Sequence, residues 1–404
     1  VNENPWIKDF PQLKQSYHYF DSAATSLKPN LVIDEVDDYN RRLSANIHRG
    51  MYHQSQEATD LYEASREVVA GFINARVDEV VYTRGTTASL NLVARSYGLT
   101  HLKEGDVILT TELEHHSSVL PWQYVSNQTG AKLQYMPLTK EGKVTVEHFK
   151  SAISKDVKVV AIHHVSNVLG YQAPLKEIIE VAHDFGAIVV VDGAQAIQHL
   201  PVDVKDLDAD FYAFSGHKML GPTGIGILYG KHHLLDQMDP IEFGGDMSLD
   251  VMKHQFSWKE TPVKFEAGTM PIAEAIGLAK AIEYLRYVSF DKMHHHSKRL
   301  YDDLMKQLKD IDEVKIYNQD SDTFIFTFNI IDVPAHDAIT FFAENHIALR
   351  AGQHCAQLAH DFLGINASLR GTIYFYNTRE DVQAFIDCLK EAIDYFKALG
   401  FIGE

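Results

Sequence analysis

From about residue 60 to 230 the chain alternates between runs that suit strands and runs that suit helices, and no other feature narrows its fold so much. VVYTRG (80–85), VILTTEL (107–113), VKVVAIHHV (157–165), AIVVVDG (187–193) and DFYAFSG (210–216) read as strands. Several are apolar at nearly every position, the pattern of a strand covered on both faces. Between them, SLNLVARSYGL (89–99) and LKEIIEVAHDF (175–185) repeat apolar residues at the 3.6-residue period of half-buried helices. This alternation predicts an open α/β sheet flanked by helices.

After about residue 265 the texture changes. A helical pattern around 273–285 leads into a long polar helix over 291–310. Short strands are expected at VKIYN (314–318), TFIFTFNI (323–330), IALR (347–350) and SLRGTIYFYN (368–377), with HDAITFFAEN (336–345) helical among them. The last helix starts at Thr378, which with Asp381 makes an N-terminal cap, and it aligns Val382, Phe385, Leu389, Ile393 and Phe396 on one face. Three parts are expected: a segment over 1–18 packing with the small domain, a large domain over 19–265, and a smaller α+β domain over 266–404.

A length of 404 residues supplies a core for each domain. The formal charge of −18 argues against nucleic acid or an anionic membrane as partner, since both need a basic surface. No apolar run approaches the roughly 20 residues of a membrane span, and VNENPWIKDFPQ lacks the order of a signal peptide. The two cysteines, Cys355 and Cys388, form no CxxC pair, which fits a reducing cytoplasm. Cys388, beside Phe385 and Leu389, reads as a small buried hydrophobe. Histidine is abundant, at 22 residues, yet HExxH and Cys/His ligand spacings are lacking, so no metal site is expected. The run His294-His295-His296 reads as a solvated helix face.

In open α/β sheets ligands bind at the carboxyl ends of the strands. Here those ends bring Thr86 and Thr87, His115, Asn167, Asp192 and Gln195, then Ser215, His217 and Lys218. An aspartate at one strand end and a lysine 26 residues later at the next suggest pyridoxal phosphate. That cofactor needs a lysine amine for its Schiff base and a carboxylate to keep its pyridine nitrogen protonated. It also needs a phosphate cradle, which Gly-Thr-Thr entering a helix offers through its hydroxyls and free N–H groups. Each residue has a bland reading as a cap, turn former or solvated side chain; five strand ends supplying one cofactor together do not. The glycine-rich GPTGIGILYG matches neither GxxxxGK[ST] nor GxGxxG. Cys355, in RAGQHCAQLAH, is by itself open to three readings: a stray thiol, a metal ligand or a nucleophile.

The segments FDSAATSLKP, NIHRGMYHQSQEAT, TRGTTASLNLVA, ELEHHSSVLPWQ, VSNVLG, VDGAQA, SGHKMLGPTGIGILYGK, FEAGT, RAGQHCAQ and LRGTIYFYNT span about residues 19–378. Together they resemble the class V, fold-type I pyridoxal-phosphate enzymes, and among them the group II, Suf-type cysteine desulfurases. The resemblance implies that Lys218 carries the cofactor and later moves the substrate Cα proton. It implies that Asp192 pairs with the pyridine nitrogen, Gln195 contacts the ring hydroxyl and His115 stacks on the ring. Thr86, Thr87, Ser215 and His217 would bind phosphate, with Thr269 reaching it across a homodimer interface. Arg370 would grip the substrate carboxylate, and Asn167, His48 and Arg350 would line the pocket. Cys355 would be the nucleophile that takes sulfur from L-cysteine, releases L-alanine and passes its persulfide to a SufU-like or SufE-like acceptor for iron–sulfur cluster assembly.

The chain departs from that group at several positions. Ala351 and Gln353 stand where threonine and histidine are common, Leu358 stands near an expected proline, and Met270-Pro271 and Gly371-Thr372 replace Pro-Asn and Ala-Ser. The same cofactor set also suits a class V aminotransferase or a selenocysteine lyase. A catalytically silent scaffold is the reading from outside enzymology, and the intact lysine, aspartate and phosphate set speaks against it.

Overall fold

The computed structural model describes residues 4–15 and 17–402. Part of the 1–18 segment therefore lies outside the described residues.

Seven strands form the main sheet: β1 (Val80–Thr83), β2 (Val107–Thr110), β3 (Lys132–Tyr135), β4 (Val157–His163), β5 (Ile188–Asp192), β6 (Phe211–Ser215) and β7 (Gly226–Gly230). Their spatial order is β1-β7-β6-β5-β4-β2-β3. The pairs from β6 across to β3 are parallel. Only β7 runs antiparallel to its neighbours, β1 and β6. The open α/β sheet anticipated from the sequence is thus present, and it is mixed and mostly parallel.

Why apolar runs became strands follows from the pleat, which sends successive side chains to opposite faces. Tyr82, Leu109, Val160, Ile162, Val189, Val191, Tyr212 and Phe214 enter one core, shared with the helix Ile272–Val288. Val81, Ile108, Val159, Ala161, Val190, Phe211 and Ala213 enter the other, beneath the helices that carry Leu90 and Trp122. A strand with apolar residues on one face only would leave one of these layers uncovered.

A second sheet holds β8 (Val314–Ile316), β9 (Ile325–Ile330), β10 (Arg350–Gly352) and β11 (Ser368–Thr372), all antiparallel in the order β8-β9-β11-β10. Phe326 and Phe328 of β9 pack with Leu304, Phe342 and Phe385 from the helices Phe290–Lys309, Ala335–Glu344 and Arg379–Ala398 in a separate core, where Cys388 is also buried. Thr378 caps the last helix as expected: its Oγ1 accepts from the Asp381 amide at 3.1 Å, and Asp381 accepts from the Thr378 amide at 2.8 Å. His294 and His295 are exposed as expected, whereas His296 turns partly inward and meets the Asn377 carbonyl at 2.8 Å.

The structure differs from the sequence reading at four places. The edge strand β3 is half exposed and lacks an apolar run, and β7 arises from the glycine-rich GILYG. Gly226 of β7 is required by close approach, because a Cβ there would sit 2.3 Å from Gly85 Cα. IALR divides: Ile347–Ala348 pairs in parallel with His18–Tyr19, while Arg350 opens β10. The stretch 368–377 stops being a strand at Thr372, since the Asn377 side chain takes the Tyr374 amide at 2.8 Å and folds a turn.

Candidate active site

The carboxyl ends of β4, β5 and β6 open into one cavity of about 280 Å³. Every candidate named from the sequence lines it except His48 and Thr269. Those two lie at a second cavity of about 620 Å³. There the His48 imidazole is exposed and meets Glu63 at 2.8 Å.

Asp192 ends β5, and burial pushes its carboxyl above the ordinary range. Among the described residues it accepts a single side-chain hydrogen bond, from the Ala194 amide at 3.0 Å. A carboxylate so poorly compensated favours a cation beside it. Lys218 follows β6, and burial lowers its amine to about 8 although Asp192 pulls the other way. More of this amine is therefore unprotonated near neutrality than of an ordinary lysine, which favours its use as a nucleophile.

His115 sits at the N-cap of the helix His116–Thr129, where its Nδ1 accepts from the Ser117 amide at 3.1 Å. The remaining proton is then on Nε2. Burial, reinforced by the Lys218 charge, lowers its pKa to about 3, so the ring is neutral and offers a flat uncharged face.

At the entrance to the helix Thr86–Val93, the Thr86 amide donates to Ser215 Oγ at 2.8 Å, and the two hydroxyls meet at 2.7 Å. Thr87 and Ser117 hydroxyls pair at 2.7 Å. Gly85 precedes them at φ +155°, a backbone conformation that L side chains rarely adopt. His217 adds an imidazole lowered to about 4 by burial. Hydroxyls and helix N–H groups with no carboxylate among them make a cradle for a phosphate dianion.

The other wall comes from the second sheet. Arg370 of β11 is buried, and its Nη1 donates to the Asn167 carbonyl at 2.8 Å. Asn167 Nδ2 donates in turn to the His354 carbonyl at 2.8 Å. Cys355 is exposed at the cavity, and its carbonyl accepts from the His116 amide at 2.7 Å. Arg350 turns to Asp21, with Nη2 at 2.8 Å from Oδ2. His354, next to the thiol in sequence, is buried and held well below the usual imidazole range by desolvation, so it is neutral.

Four groups at this site had no role assigned from the sequence. Asp21 lies within the FDSAAT segment but had no partner until the fold brought Arg350 to it. Ser117 is a hydroxyl in a helix start, and nothing local marks it. Glu114 and His163 form a buried pair at 2.7 Å, with His163 on the cavity wall. Their separation of 49 residues hides that pairing from any local pattern.

A pyridoxal phosphate molecule asks for a lysine, a carboxylate for its ring nitrogen, an aromatic face and a phosphate cradle, and this cavity has all four. Fold and site together define a pyridoxal-phosphate enzyme of fold type I. The family model described as aminotransferase class-V matches residues 18–385, and the chain belongs to that family. Within it the chain is related along its whole length to cysteine desulfurases. A probable cysteine desulfurase of Halalkalibacterium halodurans is 47% identical over 402 residues, covering 98% of this chain and 99% of the relative. One from Staphylococcus epidermidis is 46% identical over 398 residues, with 96% of each chain covered. The crystal structure of the cysteine desulfurase CsdA, in its S-sulfonic acid form, from Escherichia coli superposes with a TM-score of 0.91 at 38% identity, covering 98% of this chain and 99% of that one.

Proposed function

We propose that this cysteine desulfurase converts L-cysteine to L-alanine by transferring the substrate sulfur to Cys355, in a site where Lys218, Asp192 and Arg370 divide the remaining work. The observation that carries the reading is the single cavity shared by a depressed lysine amine, a buried carboxylate and an exposed thiol.

Pyridoxal phosphate, when bound, supplies the electron sink for the Cα and Cβ carbanion character that the reaction develops. Lys218 Nζ would hold the cofactor and, as a free amine, would take the Cα proton. Asp192 would pair as an anion with a protonated ring nitrogen. His115 would give the ring a neutral face, while Thr86, Thr87, Ser215 and His217 would hold its phosphate. Gln195, whose Nε2 donates to the Ala23 carbonyl at 2.7 Å and whose Oε1 accepts from Gln198 Nε2 at 3.1 Å, is fixed on the wall of the same cavity.

Arg370 binds the substrate carboxylate as a planar fork. The Cys355 thiolate attacks the substrate sulfur, the new S–S bond forms as the Cβ–S bond breaks, and Cβ keeps the electron pair and takes up a proton. L-cysteine and the Cys355 thiol thereby become L-alanine and a Cys355 persulfide, with no external oxidant or reductant. The exposure of Cys355 suits delivery to an acceptor.

The finer context belongs to the same proposal. The enzyme acts as a homodimer in which Thr269 and His48, outside their own chain's cavity, serve the partner's site. The persulfide passes to a SufU-like or SufE-like acceptor for iron–sulfur cluster assembly in the cytoplasm. Among the described residues no helix is long and apolar enough to cross a membrane.

Cys355→Ala tests the reaction class. Alanine release from L-cysteine should disappear in the variant while cofactor binding is retained. An unchanged rate would show that C–S cleavage does not need Cys355 and leave a lyase as the better reading.

A further inference from the structure

The loop that carries Cys355 is strained, with His354 at φ +50° and Cys355 at φ +53°, two successive residues in the left-handed region without glycine. Something must hold it. The imidazoles of His354 and His360 both reach one hydroxyl: His354 Nε2 lies 3.0 Å and His360 Nε2 2.9 Å from Ser368 Oγ. All three residues are buried.

Proton bookkeeping orders this chain. His360 Nδ1 lies 3.0 Å from the Ala356 carbonyl, which only accepts, so Nδ1 carries the proton. Neutral His360 then accepts at Nε2 from the Ser368 hydroxyl, and Ser368 Oγ accepts from His354 Nε2–H. Burial lowers both imidazoles below their ordinary range, which keeps them neutral. His354 is left with a bare Nδ1, buried and with no hydrogen-bond partner among the described residues. Ser368 and Arg370 are two apart on β11 and so share one face, the Ser368 hydroxyl toward the loop and Arg370 on the cavity wall.

We propose that His360 and Ser368 are positioning residues for sulfur transfer: they fix the tautomer and orientation of His354, and through it the strained turn that presents Cys355 to the substrate held by Arg370. Where Gln353, Ala351 and Leu358 leave the loop without the group's usual side chains, this relay supplies its rigidity. The inference rests on the reading of Cys355 as the sulfur acceptor.

The test uses the cofactor-loaded enzyme with three variants, Ser368→Ala, Ser368→Thr and His360→Leu. Ser368→Ala removes two hydrogen bonds, and kcat should fall roughly ten-fold, with KM for L-cysteine and the cofactor absorbance unchanged. Alkylation of Cys355 by iodoacetamide should change in rate in the same variant. His360→Leu should behave likewise, and Ser368→Thr, which keeps the hydroxyl, should recover most of the loss. Wild-type kcat and alkylation rate in both Ser368→Ala and His360→Leu would overturn the proposal. Equal losses in Ser368→Ala and Ser368→Thr would also overturn it, because packing rather than the hydroxyl would then matter. Alkylation is read without substrate, so it reports on the loop even if persulfide fails to form on wild-type Cys355, which is the separate failure of the desulfurase reading.

Discussion

Arg370→Ala probes the substrate end of the site. The guanidinium is 3% exposed, gives one hydrogen bond to the Asn167 carbonyl at 2.8 Å, and stands 3.9 Å from Asp21 Oδ1. Most of its N–H groups are therefore free for a ligand carboxylate. Two charge-assisted hydrogen bonds at about 1.5–3 kcal/mol each imply a loss of roughly 3–6 kcal/mol, or about 10² to 10⁴ in kcat/KM. The contact exists before and during the chemistry, so the loss should fall mainly on KM. Truncation does not strand Asp21, whose carboxylate keeps Arg350 at 2.8 Å, so folding should survive. Arg370→Lys keeps the charge but not the fork and should recover only part. Alanine release measured against L-cysteine concentration, with cofactor absorbance and thermal melting as controls, reads all of this. A wild-type kcat/KM, or a loss confined to kcat at constant KM, would refute the role.

Two further predictions concern charge. In enzyme stripped of cofactor, the rate of recombination with pyridoxal phosphate should climb with pH through a midpoint of about 8, where burial holds the Lys218 amine. Asp192→Asn removes a group that raises that amine, so the midpoint should move lower; a midpoint near the ordinary lysine value of about 10.4 would contradict the site's electrostatics. Arg66→Met should cost about 3–5 kcal/mol of stability, seen in denaturant melts. It strands the buried Glu266 carboxylate, which now takes Arg66 Nη1 at 2.7 Å, Nη2 at 2.8 Å and the Tyr82 amide at 2.8 Å. An unchanged midpoint of unfolding would show that water reaches Glu266.

The features legible in the sequence are those set by nearest neighbours along the chain. Continuous apolar runs marked β1, β2, β4, β5 and β6, and the polar residues closing them were the ones the cavity gathers. β3 escaped because an edge strand needs no apolar run, and β7 because its glycines serve close packing, Gly226 against Gly85 and Gly230 against Leu235, rather than a loop. Asp21 with Arg350, Glu114 with His163 and the His354–Ser368–His360 relay join residues from different elements. Such pairs have no spacing to read. His354 shows the limit in another way: it neighbours Cys355 in sequence, yet nothing local tells that burial leaves it neutral.

The central claim, that Cys355 receives the sulfur, is tested most directly by mass spectrometry of the Cys355 peptide after incubation with L-cysteine, with alanine measured in the same sample. The account predicts one added sulfur on that peptide for each alanine released in a first turnover without acceptor. Stoichiometric alanine with no added mass at Cys355 would contradict it.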